Sequence, residues 1–302
     1  MPGSKIMVIG AGAMGQGLSE AIAAAGHDVT LVDKTTKLVE RGMRGIDEAM
    51  DREIGRWGLT QSDKKAIMSR IHATSDLSQA EDAEIVLEAI PEDLEMKRGL
   101  FEKLDRICPE ETLMITNTGT LSISEIAQAT ERPQKIIGMH FLNPVTRIPL
   151  VEIVKGLRTD QATFKKAVEF AEMLDKRWIT VNEYPGYVTT RIIVPMINEA
   201  MHVLMEGVAT ADDIDEAMKL GFGFNTGPLT LADQMGLDVV MSWMNNLLKE
   251  LSEHRYNACP ILRKLVRAGH LGVKTGKGFF EYDKDGNRIN STSTVTVRKE
   301  IK

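Results

Sequence analysis

His140 closes the apolar run KIIGMH, and Glu152 sits inside PLVEIV between Val151 and Ile153. A carboxylate on so apolar a strand is costly to bury without a partner. Histidine is a natural one: a carboxylate that accepts from one ring nitrogen fixes the tautomer and raises the basicity of the other, giving an oriented general base. Glu88, inside IVLEAI, qualifies equally well, and the residues themselves do not decide between the two carboxylates. The competing reading of His140 is a core histidine satisfied by backbone. Its place at a strand end weighs against that, because open α/β sheets bind ligands beyond their strand ends.

A second polar feature follows the apolar run TLMI. In TNTGTLSIS, residues 116–124, three hydroxyls and an amide surround one glycine at the end of a strand. Asn117, Thr118 and Thr120 can hydrogen-bond a ribose, a nicotinamide or a substrate oxygen. The same residues also suit local capping, with Ser122 and Glu125 spaced as a capping box. A third feature, GAGAMG, carries Gly10, Gly12 and Gly15 with Ala13 and Met14 between the last two. The pattern G-x-G-x-x-G alone is weak, but here it leaves a strand, enters a helix and is followed by Asp33 at the end of the next strand. Gly10 permits the tight turn, Gly12 lets backbone N–H groups approach a pyrophosphate, and Gly15 brings helix and strand together. Asp33 can accept from both ribose hydroxyls and repels a 2′-phosphate, which favours NAD over NADP.

The elements that must position these groups are legible as alternation. KIMVIG, DVTLVD, AEIVLEAI, TLMIT, KIIGMH and PLVEIV read as strands, with helical patterns such as LEMKRGLFEKLDRI and ATFKKAVEFAEML between or after them. That order predicts an α/β Rossmann-type domain with a mostly parallel sheet over residues 1–184. A helical insert over 36–71 breaks near RWGLTQSD, where Ser62 or Thr60 can cap its second helix. After EYPGY the pattern turns wholly helical, predicting an all-α domain over 185–283. Thr210 with Asp213 can cap one of its helices, and Pro228 suits a first turn. Residues 284–302 read as a polar tail.

A net charge of -6 over 302 residues argues against a nucleic-acid partner. Cys108 and Cys259 have neither disulfide-framework nor metal-ligand spacing, so they read as buried thiols with no metal site. The start lacks a signal-peptide pattern and no run of about 18 apolar residues occurs, which predicts a cytoplasmic protein without membrane contact.

VIGAGAMGQG, NTGTLSI, IIGMHFLNPV, LVEIV, PGYVTTRI and HLGVKTGKGFFEY together resemble the L-3-hydroxyacyl-CoA dehydrogenases, the short bacterial 3-hydroxybutyryl-CoA enzymes most of all, to about Asp283. The resemblance implies a helical domain that forms a homodimer interface and a site in the cleft between the domains. It implies His140 as the catalytic base and Glu152 as its partner, with hydride passing from C3 of an acyl-CoA substrate to NAD. It further implies NAD contacts at Glu92, Lys97, Asn117, Asn143 and Lys277, and a place along the acyl-CoA for Arg52 and Arg56 of the insert.

Three departures from the family pattern surround this site. NTGT stands for NTSS, so Gly119 lacks the hydroxyl expected to touch the substrate 3-oxygen, with Thr120 an imperfect substitute. PGYVTTR puts Thr190 where an asparagine is usual, and LGFGFNTGPL puts Gly223 and Phe224 where Asn and His are usual. These point to a pocket reshaped for another acyl group, with Phe222, Phe224 and Tyr187 as candidate walls. Two alternatives follow: a same-scaffold enzyme for a hydroxy acid or diketo compound without CoA, and a non-catalytic nucleotide-binding paralogue.

Overall fold

The computed structural model describes residues 5–55 and 58–289. Arg56 and the tail from residue 290 onward lie outside the described residues. The chain divides into two compact units, Met1–Tyr187 and Val188–Lys302.

Unit 1 is an eight-stranded sheet. Its elements run β1 (Ile6–Ile9), α1 (Ala13–Ala24), β2 (Val29–Val32), α2 (Thr36–Gly55), α3 (Gln61–Met68), β3 (Ile71–Thr74), β4 (Ile85–Glu88), α4 (Leu94–Ile107), β5 (Leu113–Thr116), α5 (Ile123–Ala127), β6 (Ile136–Phe141), β7 (Leu150–Lys155), α6 (Gln161–Met173) and β8 (Arg177–Asn182). Strand order is β3-β2-β1-β4-β5-β6-β7-β8. Neighbours are parallel except β6 and β7, which pair antiparallel.

The central strands are largely apolar because both faces are covered. Ile6 and Val8 join one core with Leu18 and Ile22 of α1 and Phe170 of α6. Met7 and Ile9 join the other, with Phe101 of α4 and Ile123 of α5. The alternation that sends Ile85 and Leu87, Leu113 and Ile115, Ile137 and Met139, Val151 and Ile153 to the first core leaves Glu88, Thr116, His140 and Glu152 on the opposite face. Four polar side chains thus share one face near strand ends.

The insert forms its two helices. Val39, Gly42, Ile46 and Met50 make the buried stripe of α2. A Cβ on Gly42 would meet the Ala11 Cβ at 2.7 Å, so α2 lies directly against the glycine loop. Thr60, rather than Ser62, caps α3 in a capping box with Asp63.

Unit 2 is helical: α7 (Thr189–Met205), α8 (Ala211–Phe222), α9 (Pro228–Met235), α10 (Leu237–Leu251) and α11 (Pro260–Arg267). Thr210 caps α8 by accepting from the Asp213 N–H, and Pro228 opens α9. Its core gathers Val194, Met201, Leu229, Val240, Leu262 and Phe279 among others. Beyond Asp283 the chain turns back, with Tyr282 bridged to Arg288. No helix among the described residues is long and apolar enough to cross a membrane.

Candidate active site

Register brings His140 and Glu152 together. The antiparallel β6–β7 pair sets them directly opposite each other, and His140 Nδ1 lies 2.6 Å from Glu152 Oε2. Glu152 is 0% and His140 3% exposed, so this contact is made out of water, where it is strongest. The openness between the two carboxylates ends here. Glu88 is equally buried but accepts from Lys97 Nζ at 2.5 Å, from Thr116 Oγ1 at 2.6 Å and from the Ile90 N–H at 2.7 Å.

The polar turn after β5 stands between these two pairs. Asn117 Oδ1 accepts from the Phe141 N–H at 2.9 Å, tying the turn to the residue after His140. Glu92 gathers the rest on one oxygen: its Oε1 accepts from Thr118 Oγ1, the Gly119 N–H, the Thr120 N–H and Thr120 Oγ1, all between 2.7 and 2.9 Å. Its other oxygen lies 3.7 Å from Lys97 Nζ. Ser122 caps α5 by accepting from the Glu125 N–H, but the carboxylate its own hydroxyl meets is Glu183, at 2.5 Å. Glu183 also accepts from the backbone N–H and the hydroxyl of Ser124. Tyr187 donates to the Leu121 carbonyl at 2.8 Å, and its ring centroid is 6.0 Å from that of His140. Burial pushes the Tyr187 phenol well above its ordinary pKa, helped by Glu92 and Glu183, so it remains a donor.

The glycine loop fits a dinucleotide. A Cβ on Gly15 would lie 1.7 Å from the Gly10 carbonyl oxygen, and one on Gly10 would lie 2.5 Å from that of Ala89, so both are compelled by close backbone approach. Gly12, the N-cap of α1, faces open space and offers no side-chain cap; no acidic residue occupies the first turn. Ala13, exposed, and Met14, half-buried, begin that turn. Such an N-terminus suits a pyrophosphate. Asp33 is oriented by the Ala11 N–H at 2.8 Å on one oxygen and the Lys34 N–H at 2.7 Å on the other.

The remaining candidates lie on several elements of the two units. Asn143 is exposed and precedes a cis bond to Pro144. The loop it opens is held by the buried Lys176, whose Nζ donates to the Val145 and Ile148 carbonyls. Arg52 ends α2 near Glu20, a carboxyl pushed up to about 7 by burial first and Glu53 second, against the pull of Arg52 and Arg147. In unit 2, Lys277 pairs with Glu281 at 3.3 Å. Thr190 is buried in the first turn of α7, its hydroxyl without a hydrogen-bond partner among the described residues. Gly223 takes φ +73° as the left-handed C-cap of α8, a position for which Gly and Asn are the suited residues, so this departure also has a helix-ending role. Phe222 and Phe224 are 74% and 37% exposed. The described residues hold no group of three or more His, Cys, Asp or Glu able to bind a metal, and both cysteines are buried and free.

Residues 5–184 match the NAD-binding domain of the 3-hydroxyacyl-CoA dehydrogenases, and residues 186–282 match that family's C-terminal domain. The chain belongs to the 3-hydroxyacyl-CoA dehydrogenase family. It is an NAD-dependent oxidoreductase. A relative from Bacillus subtilis, described as a probable 3-hydroxybutyryl-CoA dehydrogenase, is 43% identical over 92% of this chain and 97% of its own length. The crystal structure of FadB2 from M. tuberculosis superposes with a TM-score of 0.88 at 34% identity, covering 93% of this chain and 99% of that one. The structure of (S)-3-hydroxybutyryl-CoA dehydrogenase PaaH1 from Ralstonia eutropha gives 0.81 at 38% identity, over 93% and 99%. Within this family's fold, three site features were not read from sequence: Thr116 on Glu88, Glu92 as the clamp of the turn, and Glu183 on α5. Each depends on contacts between residues 26 to 61 positions apart, beyond the reach of any local pattern.

Proposed function

We propose that this enzyme oxidises an L-3-hydroxyacyl-CoA reversibly to the 3-oxoacyl-CoA, with His140 as general base held by Glu152. The observation that carries this reading is the dehydrated 2.6 Å contact between Nδ1 and the Glu152 carboxylate. With Nδ1–H donating to Glu152, Nε2 is the nitrogen that takes the 3-hydroxyl proton, and Glu152 stabilises the imidazolium that results. NAD, when bound, supplies the hydride acceptor. In the reverse direction the protonated His140 returns its proton to the 3-oxygen as hydride reaches C3. Gly10, Gly12, Gly15, Ala13 and Met14 would hold the pyrophosphate, and Asp33 the adenosine ribose. Glu92, Lys97, Asn117, Asn143 and Lys277 are the proposed further NAD contacts, Glu92 also clamping the turn that carries Asn117. Arg52 and Arg56 are the proposed partners of the CoA phosphates.

The acyl group is proposed to be atypical. Gly119 brings no hydroxyl, and the Thr120 hydroxyl is engaged by Glu92. Losing one such hydrogen bond in a transition state is worth on the order of 2 to 4 kcal/mol. The helical unit is proposed as the homodimer surface, supported by Ile192, Leu220 and Phe222, all at least 66% exposed.

Following NADH formation on 3-hydroxybutyryl-CoA, longer or bulkier thioesters and the free hydroxy acids tests this reading. Thioesters should turn over, the acids should not, and His140→Ala should lower kcat by roughly 10³-fold. Equal rates on the free acid would move the assignment to a non-CoA substrate. Gly119→Ser with Thr190→Asn should raise turnover of the four-carbon thioester about ten-fold or more. An unchanged rate would remove the reason for an atypical acyl group.

A further inference from the structure

The phenolic oxygen of Tyr187 is not idle. The residue is 5% exposed and holds φ at +49°, in the left-handed region where a bulky residue is an outlier. Such a conformation persists only where the surroundings over-determine it. Here they do: the hydroxyl donates to the Leu121 carbonyl at 2.8 Å, with the Thr118 hydroxyl beside it, and the ring packs on the core that also holds Ile123, Ile126 and Val154. Four residues earlier Glu183 grips Ser122 and Ser124, so the segment 183–187 is fastened to residues 121–124 at both ends. The same ring lies 6.0 Å from the imidazole of His140, tilted 57°, within the range of a packed aromatic pair.

We propose that Tyr187 is a positioning residue for the proposed base: its hydroxyl fixes the turn 118–121 from one side while Glu92 fixes it from the other, and its ring sets the orientation of His140. This rests on the reading of His140 as the base. The chain lacks a side chain at 119 to brace the turn from within, and the phenol braces it from outside. Because the hydroxyl faces a backbone carbonyl, its effect on chemistry passes through the turn and His140 and not through direct contact with substrate.

Tyr187→Phe removes one oxygen and keeps the ring. Single-turnover NADH formation should be compared in wild type, Tyr187→Phe, His140→Asn and the double variant, with NAD affinity by titration and thermal unfolding for all four. The expected result is a loss of about five-fold in rate for Tyr187→Phe, the size of one net hydrogen bond, with NAD affinity unchanged within about two-fold. In the His140→Asn background, itself slower by roughly 10³-fold, Tyr187→Phe should have no further effect. Equal losses in both backgrounds, or no loss in either, would overturn the positioning role and leave the base assignment standing. A His140→Asn enzyme as fast as wild type would overturn both. If Tyr187→Phe unfolds more than a few degrees early, the four rates are compared at a lower temperature where every variant is fully folded, with the same outcomes.

Discussion

Glu88 and Glu152 are near twins: each is fully buried, each lies on a strand of one sheet, and both face the same core. What separates them is the partner. Glu88 meets an ammonium, a hydroxyl and a backbone N–H, which satisfy its two oxygens. Glu152 meets an imidazole, whose two nitrogens let a proton arrive at one while the other stays bonded. A buried carboxylate on an apolar strand is therefore no signature of chemistry. The group opposite it decides whether it can do more than hold the fold.

Three measurements would break or sharpen that contrast. Lys97→Met strands Glu88 as an unpaired buried charge, which typically destabilises by about 3 to 5 kcal/mol. Urea unfolding should show that loss, while kcat of the folded enzyme stays within about three-fold. A stable variant with a collapsed kcat would make the Glu88 pair chemical too. Glu152→Gln keeps the shape and removes the charge beside His140, so kcat should fall by roughly 10²-fold with a small change in unfolding midpoint. If stability falls instead and rate does not, the two carboxylates play the same part.

The smallest effect concerns a third buried carboxylate, Asp233 in the helical unit. It accepts from the Phe279 and Phe280 N–H groups and the Tyr282 hydroxyl, yet burial outweighs these and pushes it up to about 6 from 3.8. A folded-state value above the unfolded one means stabilisation that is whole below about pH 4 and lost as pH rises through 6, by roughly 1 to 3 kcal/mol. The stability margin of wild type over Asp233→Asn should narrow across that window in denaturant titrations. A margin that widens with pH would mean the three donors hold the ion.

The glycine loop was readable because everything that defines it lies within one stretch from Gly10 to Asp33. The choice between Glu88 and Glu152 was not, because it turns on the register of an antiparallel pair and on Lys97, nine residues past Glu88 in α4. Resemblance to a family pointed to Glu152, and the strand pairing supplies the physical reason. β3 and β8 escaped notice for a different cause. IHAT is only four residues long, and RWITVN is an edge strand exposed at five of its six positions, so neither shows an apolar period. Tyr187 reads in sequence as a candidate pocket wall; its positive φ and its bond to Leu121 are properties of the folded chain alone.

The antiparallel pairing of β6 with β7 has a consequence for how this enzyme can vary. His140 and Glu152 are held opposite each other by the register of the β6–β7 ladder, and residues 142–149 connect the two strands. Lengthening or rewriting that loop changes what it presents to ligands without separating the pair. Sliding the strands by a single residue would turn one partner to the opposite face. The loop can thus change by insertion and deletion while the His140–Glu152 contact is kept as a unit.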